Sequence, residues 1–215
     1  MKIGIIGAGN IGGNAGRLFA KAGHEVLFSF SRNPQTLAAL AAAVGPHARA
    51  GTPAEAAAFG DVVMLSVPWG IIDEALAQAG SLEGKIVIDT TNQFGPQGVV
   101  AELPGGISAA EYNQRRLPGA RLVKAYNTLT SGFQASSAGR SGPDRVVLFY
   151  AGQDPQAKST VAALIVDSGF TPVDMGWATV RYMEAPRRPG AVYGEEFHLE
   201  EAQAFVARVA GTGTQ

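Results

Sequence analysis

The residues of this chain that could do chemistry lie in short loops, and the first is a run of glycines. Gly7, Gly9 and Gly12 stand in Gly7-Ala8-Gly9-Asn10-Ile11-Gly12, directly behind the apolar run Lys2-Ile3-Gly4-Ile5-Ile6. Gly7 suits a tight turn, Gly9 a close backbone approach to a pyrophosphate, and Gly12 close packing of helix on strand. A second loop, Ser31-Arg32-Asn33, falls where an acidic residue about 20 residues past the glycines would hold a ribose diol. Here a hydroxyl and a guanidinium stand ready for a phosphate instead. Three more loops follow apolar runs: Val67-Pro68-Trp69, Thr90-Thr91-Asn92-Gln93 and Asn127-Thr128-Leu129-Thr130-Ser131. Pro68 would stiffen its loop, Trp69 would supply an apolar wall, and Asn127 offers two donors and an acceptor.

These loops need elements to hold them. Residues 2–6 and 24–30 read as strands, with a helix between them carrying Ile11, Ala15, Leu18, Phe19 and Ala22 at helical spacing. Asn33-Pro34 caps an alanine-rich helix, and Thr52-Pro53-Ala54-Glu55 is a capping box. Residues 61–67 and 85–89 are nearly continuous apolar runs, as expected of parallel strands buried on both faces. Further strands are expected at 122–126, 145–150 and 170–173, with helices at 71–79, after Ser108, and from Asp154 to about residue 167. Residues 93–106 read as one long loop. Strands alternating with helices predict an α/β fold, a Rossmann-type doubly wound, mostly parallel sheet with helices on both faces. Ligands of such sheets bind outside the carboxyl ends of the strands, where the five loops fall. The expected organisation is a dinucleotide-binding domain over 1–180 and a C-terminal tail over 181–215. That tail is helical on either side of 186–194 and is not a separate domain.

Composition narrows the classes. The chain has 215 residues, 46% of them hydrophobic, a net charge of −1 and 16% charged residues. A large core is therefore possible, and nothing favours nucleic acid or an anionic membrane. With no cysteine there is no thiolate metal site or catalytic thiol, and no His/Asp/Glu cluster has metal-ligand spacing. Met1 runs straight into a strand and no apolar run reaches membrane-spanning length, so a cytoplasmic protein is expected. His24, His47 and His198 all fall outside the five loops.

That last absence bears on the chemistry. A dehydrogenase of alcohols or ketones needs a positioned acid or base. Hydride exchange between a nicotinamide and a flavin-type ring needs little beyond stacking and orientation. Lys124 and Asn127 resemble the lysine and asparagine of β-hydroxyacid dehydrogenases, which sit on a helix with three residues between them. Here the spacing is two and the elements are a strand and its loop.

In combination, Gly7 to Gly12, Ser31-Arg32-Asn33, Val67-Pro68-Trp69 and Val123-Lys124-Ala125-Tyr126-Asn127-Thr128 resemble the NADPH-dependent coenzyme F-420 reductases. They are also similar to the NADPH-binding part of the six-transmembrane ferric reductases. The resemblance covers about residues 1–180. It implies NADP held by the glycine loop and Ser31-Arg32, a deazaflavin stacked near the Asn127 loop, and a homodimer. Where the archaeal deazaflavin reductases carry a histidine and a proline, this chain has Asn127 and Thr130; the ferric-reductase version also has asparagine. The expected activity is hydride transfer between NADP and a flavin or deazaflavin (F-420) acceptor. Expected cofactor-binding residues are Gly7, Gly9, Asn10, Ile11, Gly12, Ser31, Arg32, Asn33, Val67, Pro68, Trp69 and Asn92. Asn127 and Thr128 are expected to position a small-molecule acceptor. A non-catalytic NADP-binding or redox-sensing module is the alternative.

Overall fold

In the computed structural model the described residues are 1–31, 33–95, 98–99, 103–185 and 190–212. The first half alternates as foreseen: β1 (Lys2–Ile6), α1 (Asn10–Lys21), β2 (Glu25–Ser29), α2 (Pro34–Val44), β3 (Ala48–Ala50), α3 (Pro53–Phe59), β4 (Val62–Leu65), α4 (Ile72–Ala79) and β5 (Ile86–Asp89). There follow a small hairpin, β6 (Phe94–Gly95) and β7 (Gly98–Val99), then α5 (Ala109–Arg116), β8 (Arg121–Ala125), α6 (Ser131–Ser137), β9 (Val147–Gly152), α7 (Pro155–Asp167), β10 (Thr171–Asp174) and α8 (Leu199–Thr212).

Eight strands form one sheet in the order β10-β9-β8-β5-β4-β1-β2-β3. Every pairing is parallel except β8 with β9. The carboxyl ends of β1, β2, β4, β5 and β8 therefore share one edge, and all five nominated loops leave from it. The sheet separates two cores, as the two-residue alternation of strand side chains requires. One face buries Ile6, Val63, Leu65, Val87 and Leu122. The other buries Ile3, Ile5, Met64, Ile88 and Val123 together with Phe19 of α1. This is the Rossmann-type, mostly parallel α/β sheet.

Some expectations need correction. Residues 93–106 are not one loop, since β6 and β7 pair within them and Pro104–Gly106 forms a 3₁₀ turn. The stretch 131–137, left unassigned from sequence, is α6, started by Thr130, whose side chain accepts from Phe133 N. Helical segments do flank 186–194 as expected, the first a 3₁₀ helix at Trp177–Met183 and the second α8. That last helix joins Phe205 to Phe149 and Phe197 in an aromatic cluster with centroids 5.3–6.3 Å apart.

Candidate dinucleotide and acceptor site

The glycine loop is built by exclusion. A Cβ on Gly7 would lie 2.3 Å from Ser66 O, in a backbone at φ 103°, and one on Gly12 would lie 2.2 Å from Gly7 O. A Cβ on Gly9 would meet nothing within 4 Å, so the loop stays open on the one side where a ligand could approach. The Gly7 and Ala8 N–H groups donate to Ser29 O at 3.0 and 3.2 Å, which ties the loop to the end of β2. Helix α1 then opens at Gly9 without a side-chain cap and without an acidic residue in its first turn. Its leading amides and the positive end of its dipole suit an anion.

A cleft of about 1010 Å³ lies over this loop, lined by Gly7, Gly9, Asn10, Ser31, Val67 and Pro68 among others. Asn14 also lines it, and its Nδ2 is buried with no protein partner. A second cavity of about 560 Å³ shares Phe30, Ser31 and Ile71 with the first and continues to Thr52 and Glu74. The two together form an elongated groove along the sheet edge. Ser31 Oγ accepts from Asn33 N at 3.3 Å, and Asn33 Oδ1 caps α2 by accepting from Gln35 N at 2.9 Å. Asn33 is thus occupied as a cap. Arg32 lies outside the described residues. Trp69 does not face the cleft, contrary to its expected role as a wall. It is 7% exposed and packs 6.0 Å from the Tyr112 ring, with the Arg116 guanidinium 5.0 Å from its own. Pro68, just before the short 3₁₀ turn, and Ile71, its last residue, line the cleft in its place.

At the other end of the edge, the loops after β5 and β8 meet through their asparagines. Asn92 Nδ2 donates to Asn127 O at 2.8 Å, and Asn127 Nδ2 donates to Asn92 Oδ1 at 3.2 Å. Asn127 is 3% and Thr128 2% exposed, yet among the described residues Asn127 Oδ1 and Thr128 Oγ1 have no partner. Buried polar atoms are rarely left so, because each costs about 1–3 kcal/mol. Gln134 closes this loop from below, with Nε2 donating to Tyr126 O at 3.1 Å and Leu129 O at 2.8 Å.

Among the described residues, two that are not glycine have left-handed backbones, Phe30 at φ 57° and Tyr126 at φ 60°. Each directly follows a strand or its last residue and directly precedes a nominated residue, Ser31 or Asn127. Such a conformation costs on the order of 1–3 kcal/mol and persists where the surroundings fix it. For Tyr126 the surroundings are plain: the buried phenol donates to Leu164 O at 3.2 Å and pairs with Ser168 Oγ at 2.9 Å. Burial pushes that phenol's pKa up, which keeps it a neutral donor.

Beneath the asparagines lies a buried polar network that the sequence did not reveal. Lys124 and Asp89, both fully buried, form an ion pair at 3.0 Å, and Lys124 Nζ also donates to Thr91 O. Asp89 Oδ1 accepts from Thr91 N and Oγ1, and its Oδ2 accepts from Asn113 Nδ2 at 2.9 Å. Lys124 has no exposed atom from which to serve as an acid; it cross-ties two neighbouring strands. Among the described residues no group of three or more His, Asp or Glu could hold a metal, and no helix is long and apolar enough to cross a membrane.

A glycine loop between the first strand and helix of a parallel sheet, with an elongated groove along the carboxyl edge, defines a dinucleotide-binding protein of Rossmann type. Residues 2–93 match the family model described as NADP oxidoreductase coenzyme F420-dependent. Metalloreductase STEAP3 of Rattus norvegicus is 31% identical over 185 residues, 86% of this chain; the chain spans only 36% of that relative's length. Among solved structures, hypothetical protein SMa0349 of Sinorhizobium meliloti superposes with a TM-score of 0.80 at 30% identity, covering 93% of this chain and 95% of its own. An Arthrobacter protein described as an F420-dependent NADP reductase superposes with a TM-score of 0.68 at 29% identity, covering 82% and 84%.

Proposed function

We propose that this protein is an NADPH-dependent reductase that hands hydride to a planar acceptor of flavin or deazaflavin type. The observation that carries the reading is the paired amides of Asn92 and Asn127 on the same sheet edge as the cleft, beyond Val67 and Pro68, with Asn127 Oδ1 and Thr128 Oγ1 buried and, among the described residues, unpartnered. NADPH would supply the hydride. Gly7, Gly9, Asn10, Ile11 and Gly12 would cradle its pyrophosphate on the amides of α1. Ser31 and Arg32 would hold the 2′-phosphate, and Val67 and Pro68 would line the approach to the nicotinamide. Asn127 and Thr128 would orient the reacting rings without moving a proton, once their buried oxygens were uncovered towards an amide or ring edge. The buried Lys124 speaks against carbonyl reduction through that lysine.

Purified protein with NADPH is tested against FMN, FAD, the deazaflavin and ferric citrate, following loss of reduced-nicotinamide absorbance. Turnover with a ring acceptor is expected. Tight NADPH binding without turnover would favour the sensing module, and turnover on ferric citrate alone would favour direct metal reduction. Asn127→Ala should lower turnover and leave NADPH affinity nearly unchanged, the pattern of an interaction made only in the transition state.

A further inference from the structure

The two residues that flank Glu184 each touch one of the asparagines. Met183 O accepts from Asn127 Nδ2 at 2.6 Å, and Ala185 N donates to Asn92 Oδ1 at 3.2 Å. Between them Glu184 is 4% exposed, and its carboxylate accepts from Ala109 N at 3.0 Å and Ala110 N at 2.8 Å. Those amides open α5, whose start is itself fixed by the reciprocal capping box of Ser108 and Glu111. Two charge-assisted bonds at the positive end of a helix make a firm anchor. Farther along, Gly194 N donates to Thr128 O at 2.7 Å, and the Tyr193 ring lies 5.9 Å from Phe94. This part of the tail therefore packs over the loops that carry Asn92, Asn127 and Thr128.

The anchored backbone decides how the asparagines point. A carboxamide turned half a revolution exchanges donor for acceptor, so its partners choose its orientation. Met183 presents a carbonyl, which requires the Asn127 nitrogen and leaves the Asn127 oxygen unpartnered. Ala185 presents an N–H, which requires the Asn92 oxygen and leaves the Asn92 nitrogen to bond Asn127 O. We propose that Glu184 is a positioning residue of the acceptor site: its carboxylate, fixed on the first amides of α5, sets the Met183 carbonyl and Ala185 amide that orient Asn127 and Asn92. The proposal rests on the reading of those asparagines as acceptor-site residues.

Charge around the carboxylate makes the anchor sensitive to pH. Burial, the largest influence, pushes the Glu184 pKa up, Lys124 of β8 and the two α5 amides pull it down, and Asp89 of β5 pushes it up. Glu111 is committed to Ser108 N and Arg181 to Gly106 O. A protonated carboxyl is a weaker acceptor for two N–H groups than a carboxylate. The orientation of both asparagines then follows the state of Glu184.

The test has two arms. In the first, the side-chain NH₂ resonances of Asn92 and Asn127 are assigned by their loss in Asn92→Ala and Asn127→Ala. In the wild type they should titrate with a midpoint above the ordinary carboxylate value of about 4.3, and in Glu184→Gln they should stay flat. Absence of titration in the wild type, or identical titration in both proteins, would overturn the proposal. In the second arm, Glu184→Gln should slow turnover roughly ten- to hundredfold, as misplacement of reacting groups does, with NADPH affinity retained. The double variant Glu184→Gln/Asn127→Ala should be no slower than Asn127→Ala alone, whereas losses that multiply would show that Glu184 does not act through Asn127. If the wild type turns over no acceptor, the proposed function fails and the first arm alone decides the role of Glu184. If Glu184→Gln does not fold, the comparison is Glu184→Asp, whose shorter side chain should shift the midpoint and slow turnover; an unchanged midpoint and rate would overturn the proposal.

Discussion

On the proposed reading, Arg32 carries the chain's choice between two cofactors that differ by one phosphate. A charged hydrogen bond to that phosphate contributes about 1.5–3 kcal/mol, roughly one to two orders of magnitude in affinity. We expect the protein to prefer NADPH to NADH and Arg32→Ala to lose most of the preference. Calorimetric titration with both cofactors checks this, and equal affinities in the parent protein would refute it. Glu184 supplies a second expectation at this scale. Its pKa is raised by burial, so the folded state holds the proton more tightly than the unfolded chain does. The group's contribution to stability is then complete below about pH 4.3 and fades as pH rises through the raised folded value. The melting temperature of the wild type relative to Glu184→Gln should accordingly fall between acidic and mildly alkaline pH. A difference that stays constant with pH would contradict it. Stability and orientation pull this side chain in opposite directions, as is common where a fold is shaped for function.

Elements of this fold differ in how plainly the sequence announced them. Residues 2–31 could be read because their chemistry is local: an apolar run, glycines at fixed spacing, a helix, a second strand. The loops at 67–69, 90–93 and 127–131 were placed by one rule about strand ends, and the sheet puts them on one edge. α6 was missed although Thr130 is a good cap, because a seven-residue helix with few apolar positions gives little period to detect. Trp69 was misplaced since an aromatic after a strand gives no sign of which side it will take. Glu184 was invisible for a different reason: its two partners lie 75 and 74 residues away. The buried ion pair across β5 and β8 was equally silent, and its energetics can be stated. Removing one partner of such a pair typically costs about 3–5 kcal/mol, because the other charge is left buried. Lys124→Met should therefore lower the free energy of urea unfolding by about that amount. Loss of turnover with unchanged stability would show instead that Lys124 acts in the chemistry.

At the scale of the whole molecule, the sheet leaves β3 and β10 as its edges. Closed two-fold dimers are the commonest way for such chains to cover residual faces. We expect a homodimer to which the tail contributes, and light scattering that returns the mass of one 22.2 kDa chain at micromolar concentration would refute it.

The packing of residues 183–185 and 192–194 over the asparagine loops has a consequence for how the protein comes into being. A ribosome delivers the glycine loop before this segment. On the proposed reading, the dinucleotide half is present earlier, while the asparagines stay unoriented until residues 183–194 arrive. A half-made molecule could hold its reductant but not discharge it onto a bystander.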